Sequence, residues 1–238
     1  HLSIRRQRQM CIRDSMKAMI LAAGYGKRLL PLTKEIPKPL LMVGKKTLIE
    51  RNIEILLDND FDNLVINVSY LSHMIKDHVS KIFPLVNIEY SEEAEPLGTG
   101  GGVLKAIDLL GREHFLLVNA DLCHEINIKN LAQEVPSAHL VGVKNPDHNP
   151  DGDFSLDGNT VVIKKGPNDL TWSGISVINP VIFNSLNGRK GSFEIWDSVL
   201  KEQIKNKTVT GEFSQESWID TGTIDRLELA NNIVTDEN

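Results

Sequence analysis

An apolar strand that ends abruptly in small residues constrains this chain most. Residues 19–22 form an apolar run of strand length, and the residues that follow are Ala23, Gly24, Tyr25 and Gly26. Small residues after a strand let backbone N–H groups approach a phosphate chain closely, and nearby cations neutralise its charge. Here the cations are Lys27, Arg28 and, between two prolines, Lys38. The stretch predicts a phosphate-binding loop, although its glycines alone fit an ordinary strand-to-loop turn equally well.

The two common phosphate loops do not fit this stretch. A dinucleotide fingerprint requires a third glycine where this chain has Leu29. A P-loop requires Ser or Thr directly after Gly-Lys, and this chain has Arg28 there. A dinucleotide-dependent oxidoreductase is therefore disfavoured.

Apolar strands alternate with amphipathic helices after the loop. Strands are predicted at residues 19–22, 64–68, 86–90 and 115–118, and helices at residues 47–57, 71–79 and 103–110. This alternation predicts an α/β fold with a mostly parallel central sheet covered by helices on both faces. Such sheets bind ligands beyond the carboxyl ends of their strands, which is where the glycine loop would lie.

The pattern changes beyond residue 140. Residues 153–163 read as a β-hairpin with a tight Asp-Gly turn, and residues 172–177 read as a further strand. Helices are predicted at residues 194–204 and at the C-terminal end to about residue 233. The second half therefore adds a small hairpin part to the sheet.

Composition narrows the classes of partner. The chain has 238 residues, is 41% hydrophobic and carries a formal net charge of -6, which disfavours a nucleic-acid backbone as partner. No apolar run approaches the ~18 residues of a membrane span, so no membrane partner is expected. The two cysteines, Cys11 and Cys123, are too few and too far apart for a disulfide framework or a zinc site. These features fit a cytoplasmic protein.

A carboxylate follows the predicted central strand at residues 115–118. Asp121 lies where the ligand edge of a parallel sheet is expected, and Mg²⁺ prefers one or two carboxylates together with phosphate oxygens. An Asp that caps the following loop is the alternative. The neighbouring Cys123 and His124 have no second ligand cluster, so nucleophile chemistry and zinc are disfavoured there.

Three short segments carry a family resemblance. Residues 21–29 read LAAGYGKRL, residues 31–33 read PLT, and residues 37–40 read PKPL. They resemble the signature of the sugar-1-phosphate nucleotidylyltransferases. One departure is Lys27, where many members have Thr, and it adds charge beside the triphosphate. The resemblance covers essentially residues 16–233 and implies a Rossmann-like nucleotidyltransferase fold.

The resemblance also assigns roles residue by residue. It implies that Arg28 and Lys38 are catalytic, and that Asp121 and, in the W-x-D-x-G-T segment, Asp220 hold Mg²⁺. It implies that residues 95–102 receive the nucleobase and ribose, so that the nucleotide contacts are Ala23, Gly24, Tyr25, Gly26, Glu95 and Gly100. By the same resemblance, the sugar side of the site comprises Asn119, Asp153, Gly174 and Asp220.

The resemblance divides the chain as well. Residues 1–15 carry four arginines against one Asp and lack an apolar signal core, so a non-native or disordered leader is expected there. Residues 16–238 would form the nucleotidyltransferase domain, with a nucleotide-binding half at about 16–125 and a sugar-binding half at 126–238. A monomer or small homo-oligomer is expected.

The second half narrows the expected substrates. Its N-P-x-H-x-x-x-G-D-F segment, residues 145–154, and its S-G-I-S-V segment, residues 173–177, look especially like the uridylyltransferases that act on N-acetylmuramate 1-phosphate. That implies UTP and this sugar phosphate as partners, in peptidoglycan recycling. Alternatives are a glucose- or mannose-1-phosphate nucleotidylyltransferase with uridylyl, thymidylyl or guanylyl specificity, and a non-catalytic sugar-nucleotide sensor.

One family element is missing. Many relatives carry an E-E-K-P segment whose Lys grips the sugar phosphate, and this chain has no such segment. The nearest candidates are Lys164 and Lys165, which also fit a plain hairpin end. The sequence therefore leaves open which cation grips the sugar phosphate.

Overall fold

The computed structural model describes residues 16–131 and 134–236; the predicted leader, residues 1–15, lies outside them. The described strands are β1 (Ala18–Leu21), β2 (Met42–Val43), β3 (Lys46–Thr47), β4 (Asn63–Val68), β5 (Asn87–Glu92), β6 (Phe115–Asn119), β7 (Leu122–His124), β8 (Ala138–Lys144), β9 (Ser155–Asp157), β10 (Thr160–Val162), β11 (Leu170–Ile178), β12 (Val209–Phe213) and β13 (Trp218–Asp220). The described helices are α1 (Leu48–Asp58), α2 (Ser72–Ile82), α3 (Gly98–Leu110), α4 (Lys201–Lys205) and α5 (Ile224–Asp236).

Shorter helical segments complete the chain. Three 3-10 turns follow β1, at Lys27–Leu29, Leu32–Lys34 and Lys38–Leu40. A longer 3-10 segment, Pro180–Leu186, begins after the N-cap Asn179. A π-helical segment, Trp196–Leu200, leads into α4. The phosphate-loop stretch is thus folded as a series of tight turns.

Nine strands form the central sheet in the order β5-β4-β1-β6-β11-β8-β12-β10-β9 across the described residues. The pairs that join β5, β4, β1 and β6 are parallel. Beyond β6, β11 is antiparallel to both of its neighbours, while β12 is parallel to β8. The predicted α/β class and Rossmann-like fold are confirmed, with the parallel pairing concentrated in the first half of the chain.

Two apolar cores lie on opposite faces of this sheet. In β1, Ala18 and Ile20 belong to the core under α1 and α2, whereas Met19 belongs to the core under α3. Successive residues of a strand point to opposite faces, so this one apolar strand contributes to both cores. β1 is therefore buried at the centre, and its end is held rigidly.

A third, smaller cluster attaches the C-terminal helix to the loop after β1. Leu29 is fully buried and packs with residues that include Leu41, Leu48, Ile219 and Leu227. Leu227 lies on α5 and Ile219 on β13, so the end of the chain returns to the beginning. Leu29 thus has an apolar packing role at the position where a dinucleotide fingerprint has glycine.

Helix α3 begins earlier than the sequence pattern predicted. The prediction placed a glycine-rich entry before a helix at residues 103–110, but the helix starts at Gly98 and runs through the glycines. Close packing is the reason. A Cβ on Gly100 would lie 2.4 Å from Cε2 of Phe193, and one on Gly102 would lie 2.6 Å from Nδ2 of Asn67. These glycines therefore let the helix approach its neighbours.

Local predictions elsewhere agree with the structure. The capping box that opens α1 is present, since the Thr47 side chain accepts from the Glu50 N–H and the Glu50 carboxylate accepts from the Thr47 N–H. β9 and β10 form the predicted antiparallel hairpin around the Asp-Gly turn. Strand β12 was not predicted. No helix among residues 16–131 and 134–236 is long and apolar enough to cross a membrane.

Candidate active site

Polar side chains meet at the carboxyl ends of three neighbouring strands. Leu21, the last residue of β1, lies in register with Asn67 of β4 and with Asn119 of β6. A cavity of about 510 Å³ opens at this edge of the sheet. Its lining comprises Leu21, Ala22, Ala23, Gly24, Tyr25, Gly26, Lys27, Arg28, Lys38, Pro39, Asn67, Glu93, Pro96, Gly98, Thr99, Asn119, Ala120, Asp121, Ser192, Glu194 and Gly222. The glycine loop therefore lies where the strand pattern predicted it.

Gly26 shapes the loop that follows β1. Its φ is +64°, a left-handed conformation that favours glycine. The Thr33 hydroxyl donates a hydrogen bond of 2.9 Å to the Gly26 carbonyl. A Cβ at this position would lie 2.8 Å from Cγ2 of Thr33 and 3.1 Å from Cβ of Lys38. The close approach that glycine permits brings Lys38 against the loop and into the cavity wall.

Lys38 and Asp121 form an ion pair in the cavity wall. The lysine ammonium donates to Oδ2 of the aspartate, and the two side chains are 12% and 27% exposed. Partial burial weakens solvent screening, so this pair interacts more strongly than a surface pair does. The wall thus presents one cation and one anion in contact.

A short two-stranded sheet brings the second carboxylate beside the first. In the antiparallel pair β7–β13, Asp220 lies opposite Leu122, the residue after Asp121. The Thr221 N–H and hydroxyl both donate to the Asp121 carbonyl, at 3.0 and 2.8 Å. Two acidic residues 99 positions apart in the chain are therefore held side by side by backbone pairing.

The surroundings of Asp220 are cationic. Oδ2 lies 3.3 Å from Nη1 of Arg226 and 3.9 Å from Nε2 of His148. Oδ1 is buried and has no hydrogen-bond partner among the described residues. The pKa of His148 is lowered from its ordinary 6.5, mainly by desolvation and then by the positive charges of Arg226 and Arg28. The negative charge of Asp220 opposes this shift. Desolvation and the two arginines thus disfavour the protonated form of this imidazole.

The donor set fits a divalent cation. A hard cation such as Mg²⁺ takes carboxylate oxygens together with substrate phosphates. The buried, unpartnered Oδ1 of Asp220 and the carboxylate of Asp121 are suitable ligands. In the described parts of the chain, no three His, Cys, Asp or Glu side chains form a group that could hold a metal.

The predicted residues do not all line the cavity. Ala23, Gly24, Tyr25, Gly26, Arg28, Lys38, Asn119 and Asp121 line it. Gly174 has φ +81°, and a Cβ there would lie 2.5 Å from Nδ2 of Asn119, so its backbone packs against that amide. Oδ1 of Asn119 has no hydrogen-bond partner in the described structure. Asp220 lies next to the lining residue Gly222.

Five predicted contacts lie outside the cavity lining: Glu95, Gly100, Asp153, Gly174 and Asp220. The Gly100 N–H donates to the Phe193 carbonyl at 3.0 Å. The Asp153 carboxylate accepts from the Trp172 N–H at 2.8 Å and from the Asn149 amide at 3.1 Å. The roles assigned to all of the predicted site residues stay predictions.

A buried polar network that the sequence reasoning missed joins the loop to α3. Asn67 is 3% exposed, accepts from the Ala22 N–H at 2.8 Å and donates to Oε1 of Glu93 at 2.7 Å. Oε2 of Glu93 accepts from the Leu97 N–H at 2.8 Å. The sequence contained one sign of this network, because Asn67 is a polar residue near the end of an apolar strand. The network fixes the phosphate loop relative to the segment assigned to the nucleobase.

A second missed element comes from the distant half of the chain. The Thr99 hydroxyl and N–H donate to Oε2 of Glu194, at 2.7 and 3.2 Å. Glu194 and Ser192 both line the cavity. Nothing local in the sequence marks these residues, because their role depends on a contact across 95 positions. They close the side of the cavity that faces α3.

The fold and the site together define an α/β protein with a polar cavity at the carboxyl edge of its sheet, lined by loop cations and a carboxylate. The chain belongs to the nucleotidyl transferase family, whose model matches residues 17–151. The family recognised in the sequence and the expected enzyme class, a nucleotidyltransferase of sugar-nucleotide synthesis, are therefore confirmed.

Individual relatives agree with this family. The chain is 41% identical over 225 residues to an N-acetylmuramate alpha-1-phosphate uridylyltransferase of Neisseria meningitidis, covering 90% of this chain and 96% of the relative. It is 29% identical to a mannose-1-phosphate guanyltransferase of Schizosaccharomyces pombe, covering 87% of this chain and 61% of that protein's length. A Bacillus anthracis structure assigned as a glucose-1-phosphate thymidylyltransferase superposes with a TM-score of 0.81 at 24% identity, covering 94% and 96% of the two chains; it shares the fold.

Proposed function

We propose that this chain transfers a uridylyl group from UTP to N-acetylmuramate 1-phosphate, giving the UDP-sugar and pyrophosphate in peptidoglycan recycling. The observation that carries the proposal is the convergence of Arg28, Lys38 and Asp121 on one cavity at the ligand edge of the sheet. The choice of substrates is supported by the Neisseria relative, which matches this chain over nearly the whole length of both proteins.

The chemistry requires little from the protein beyond positioning and neutralisation of charge. An oxygen of the sugar phosphate attacks the α-phosphorus in line; a P–O bond forms to the sugar phosphate, and the bond to pyrophosphate breaks. Two polyanions must approach each other, so cations fixed in place lower the barrier. Arg28 holds the β- and γ-phosphates, and Lys38 contacts the α-phosphate or its incoming partner. No covalent intermediate is needed, because the phosphate oxygen is already a nucleophile.

We assign Mg²⁺ to Asp121 and Asp220. When bound, a divalent cation neutralises the phosphate oxygens and orients the two reactants. Asp121 keeps its position through the pair with Lys38, and its backbone carbonyl is held by Thr221. These contacts keep the carboxylate ready for a ligand.

The remaining contacts are assigned to base and sugar. The phosphate loop, Ala23 to Gly26, receives the triphosphate, and the start of α3 with Glu95 and Gly100 receives the base. Asn119, held by the backbone of Gly174, and Asp153 contact the sugar. The unpartnered Oδ1 of Asn119 supports this role, because a sugar hydroxyl would satisfy it.

The reaction belongs in the cytoplasm, where nucleoside triphosphates are made. We propose a monomer or small homo-oligomer as the assembly state. This assembly state stays a prediction, and sedimentation of the purified chain would measure it.

Pyrophosphate release tests the proposal. Four nucleoside triphosphates would each be paired with N-acetylmuramate, N-acetylglucosamine, glucose and mannose 1-phosphates in the presence of Mg²⁺. Selective turnover of UTP with N-acetylmuramate 1-phosphate is expected. Preference for GTP with mannose 1-phosphate, or for UTP or dTTP with glucose 1-phosphate, would support the enzyme class but contradict N-acetylmuramate 1-phosphate as the sugar substrate.

A sensor without catalytic activity is the alternative from another class. It predicts binding of a sugar nucleotide with no pyrophosphate release from any pair. The presence of Arg28, Lys38, Asp121 and Asp220 argues against it, because a non-catalytic protein has no need to retain both carboxylates and both cations.

A further inference from the structure

Two arginines and a histidine lie around Asp220, and one of them, Arg28, also lines the nucleotide cavity. The point where a Cβ on Gly222 would lie is 2.5 Å from Nη2 of Arg226, 2.7 Å from Oδ1 of Asp220 and 2.8 Å from Nη2 of Arg28. Nε2 of His148 lies 3.9 Å from the same carboxylate. Two guanidinium groups and the Asp220 carboxylate therefore meet at Gly222, and Asp147 adds a second acidic group near His148.

Arg226 pairs with Asp220 and keeps donor capacity beyond that ion pair. It lies in the first turn of α5, where the helix dipole favours anions over cations. Its side chain is 14% exposed, and Nη1 is buried without a geometrically satisfactory hydrogen-bond acceptor among the described residues. Thr223 orients the guanidinium by accepting from its Nε at 3.3 Å. A positioned guanidinium with donor capacity to spare is suited to bind a phosphate group.

The position of the cluster indicates which phosphate it receives. Arg28 lines the cavity of the nucleotide loop, whereas Arg226 and His148 are not among its lining residues. His148 belongs to the loop between β8 and β9, in the half of the chain assigned to the sugar. That loop is braced by the Asn145 amide, which donates to the Asn168 carbonyl at 2.8 Å. The cluster thus joins the metal carboxylate to the sugar half.

We propose that Arg226, assisted by His148, binds the phosphate group of the sugar 1-phosphate and takes the place of the lysine that many relatives carry. This inference rests on the proposed function and adds the residues that hold its second substrate. The sequence candidate Lys164 is engaged elsewhere, in an exposed pair of 2.6 Å with Asp169 at the hairpin end. The planar guanidinium group of Arg226 can donate two N–H groups to one phosphate group beside the metal site.

Steady-state kinetics with Mg²⁺ separate the two substrates. In Arg226→Gln, we expect KM for the sugar 1-phosphate to rise at least about tenfold, as expected for loss of a charge-assisted hydrogen bond, while KM for the nucleoside triphosphate stays within about twofold. Arg226→Lys, which keeps the charge, should recover part of the loss. His148→Asn should raise the same KM by a smaller factor. Arg112→Gln removes an equal charge from an exposed loop and serves as the control.

Competition by inorganic phosphate gives a second readout. In the wild type, phosphate should compete with the sugar 1-phosphate, and Arg226→Gln should weaken this inhibition. A rise in KM for the nucleoside triphosphate alone would assign Arg226 to the pyrophosphate side and overturn the inference. Unchanged KM values together with a lower melting temperature would overturn it too, as they would show a structural anchor for Asp220. If the wild type turned over no sugar 1-phosphate, the proposed function itself would fail.

Discussion

Asp121 is the residue on which the proposed chemistry depends most. It follows the central strand β6, pairs with Lys38 and lies beside Asp220 through the β7–β13 pairing. Its position after an apolar strand was sufficient to predict it as a ligand-edge carboxylate. Its pairing with Lys38 was not predictable, since it depends on how the loop after β1 folds back on the sheet.

Replacing Asp121 should separate chemistry from folding. Asp121→Asn keeps the size of the side chain and one acceptor oxygen for Lys38 but removes the charge, so we expect turnover to be abolished while cooperative unfolding persists. Asp121→Ala should also be inactive and somewhat less stable, because Lys38 loses its partner. Pyrophosphate release and thermal unfolding would measure the two effects. Asp169→Asn, at an exposed ion pair, is the control; wild-type activity in Asp121→Asn would refute the metal assignment.

His124 should make stability depend on pH. Burial lowers its pKa to about 4, from an ordinary 6.5, and its Nδ1 accepts from the Ile126 N–H at 3.1 Å. Between pH 6.5 and about 4 the unfolded chain binds the extra proton and the folded chain does not. As the pH falls from 6.5 to about 4, the free energy of unfolding therefore decreases by about 1.4 kcal/mol per pH unit.

The matched variant for this test is His124→Asn, which keeps a hydrogen-bond acceptor for the Ile126 N–H and removes the titration. Urea unfolding at several pH values should show a steeper loss of stability in the wild type than in the variant, by about 3 kcal/mol over the whole window. Parallel pH profiles for the two proteins would contradict the assignment.

At the scale of elements, helix α3 shows most clearly what the sequence could not reveal. A run of glycines predicts a loop, because glycine weakens an isolated helix. Here the helix includes the glycines, since Asn67, Glu93 and Phe193 occupy the space that side chains would take. Those three residues come from other parts of the chain, so local propensity was overruled by packing. The alternation of strands and helices was predictable because each element has its own apolar period.

Gly102→Ala tests this packing directly. Its Cβ would lie 2.6 Å from Nδ2 of Asn67 and 2.9 Å from Oε1 of Glu93, and both groups are buried and hydrogen-bonded. We expect a loss of about 1–3 kcal/mol in the free energy of unfolding, as for other overpacked sites, together with a higher KM for the nucleoside triphosphate. Gly166→Ala, at an open position with nothing within 4 Å, is the control. Equal stability of the two variants would contradict the role of the network.

At the scale of the whole molecule, the active site lies where the two halves of one sheet meet. The parallel half was predictable from its buried runs and short connections. The sequence did not predict that β11 lies between β6 and β8, or that β12 lies beside β8. These pairings join residues that are far apart in the chain. This topology brings Glu194 to Thr99 and the β7–β13 pair to the end of β6. The site is therefore a product of long-range pairing around a locally encoded loop.

The central claim is that an oxygen of the sugar phosphate attacks the α-phosphorus of the nucleotide. The most direct test uses N-acetylmuramate 1-phosphate labelled with ¹⁸O in the non-bridging phosphate oxygens, UTP and Mg²⁺, with products analysed by mass spectrometry and ³¹P NMR. The account predicts that all of the label appears in the UDP-sugar, with part of it in the bridge between the two phosphorus atoms, and that pyrophosphate is unlabelled. Label in the released pyrophosphate, or pyrophosphate formed without a labelled UDP-sugar, would contradict the account.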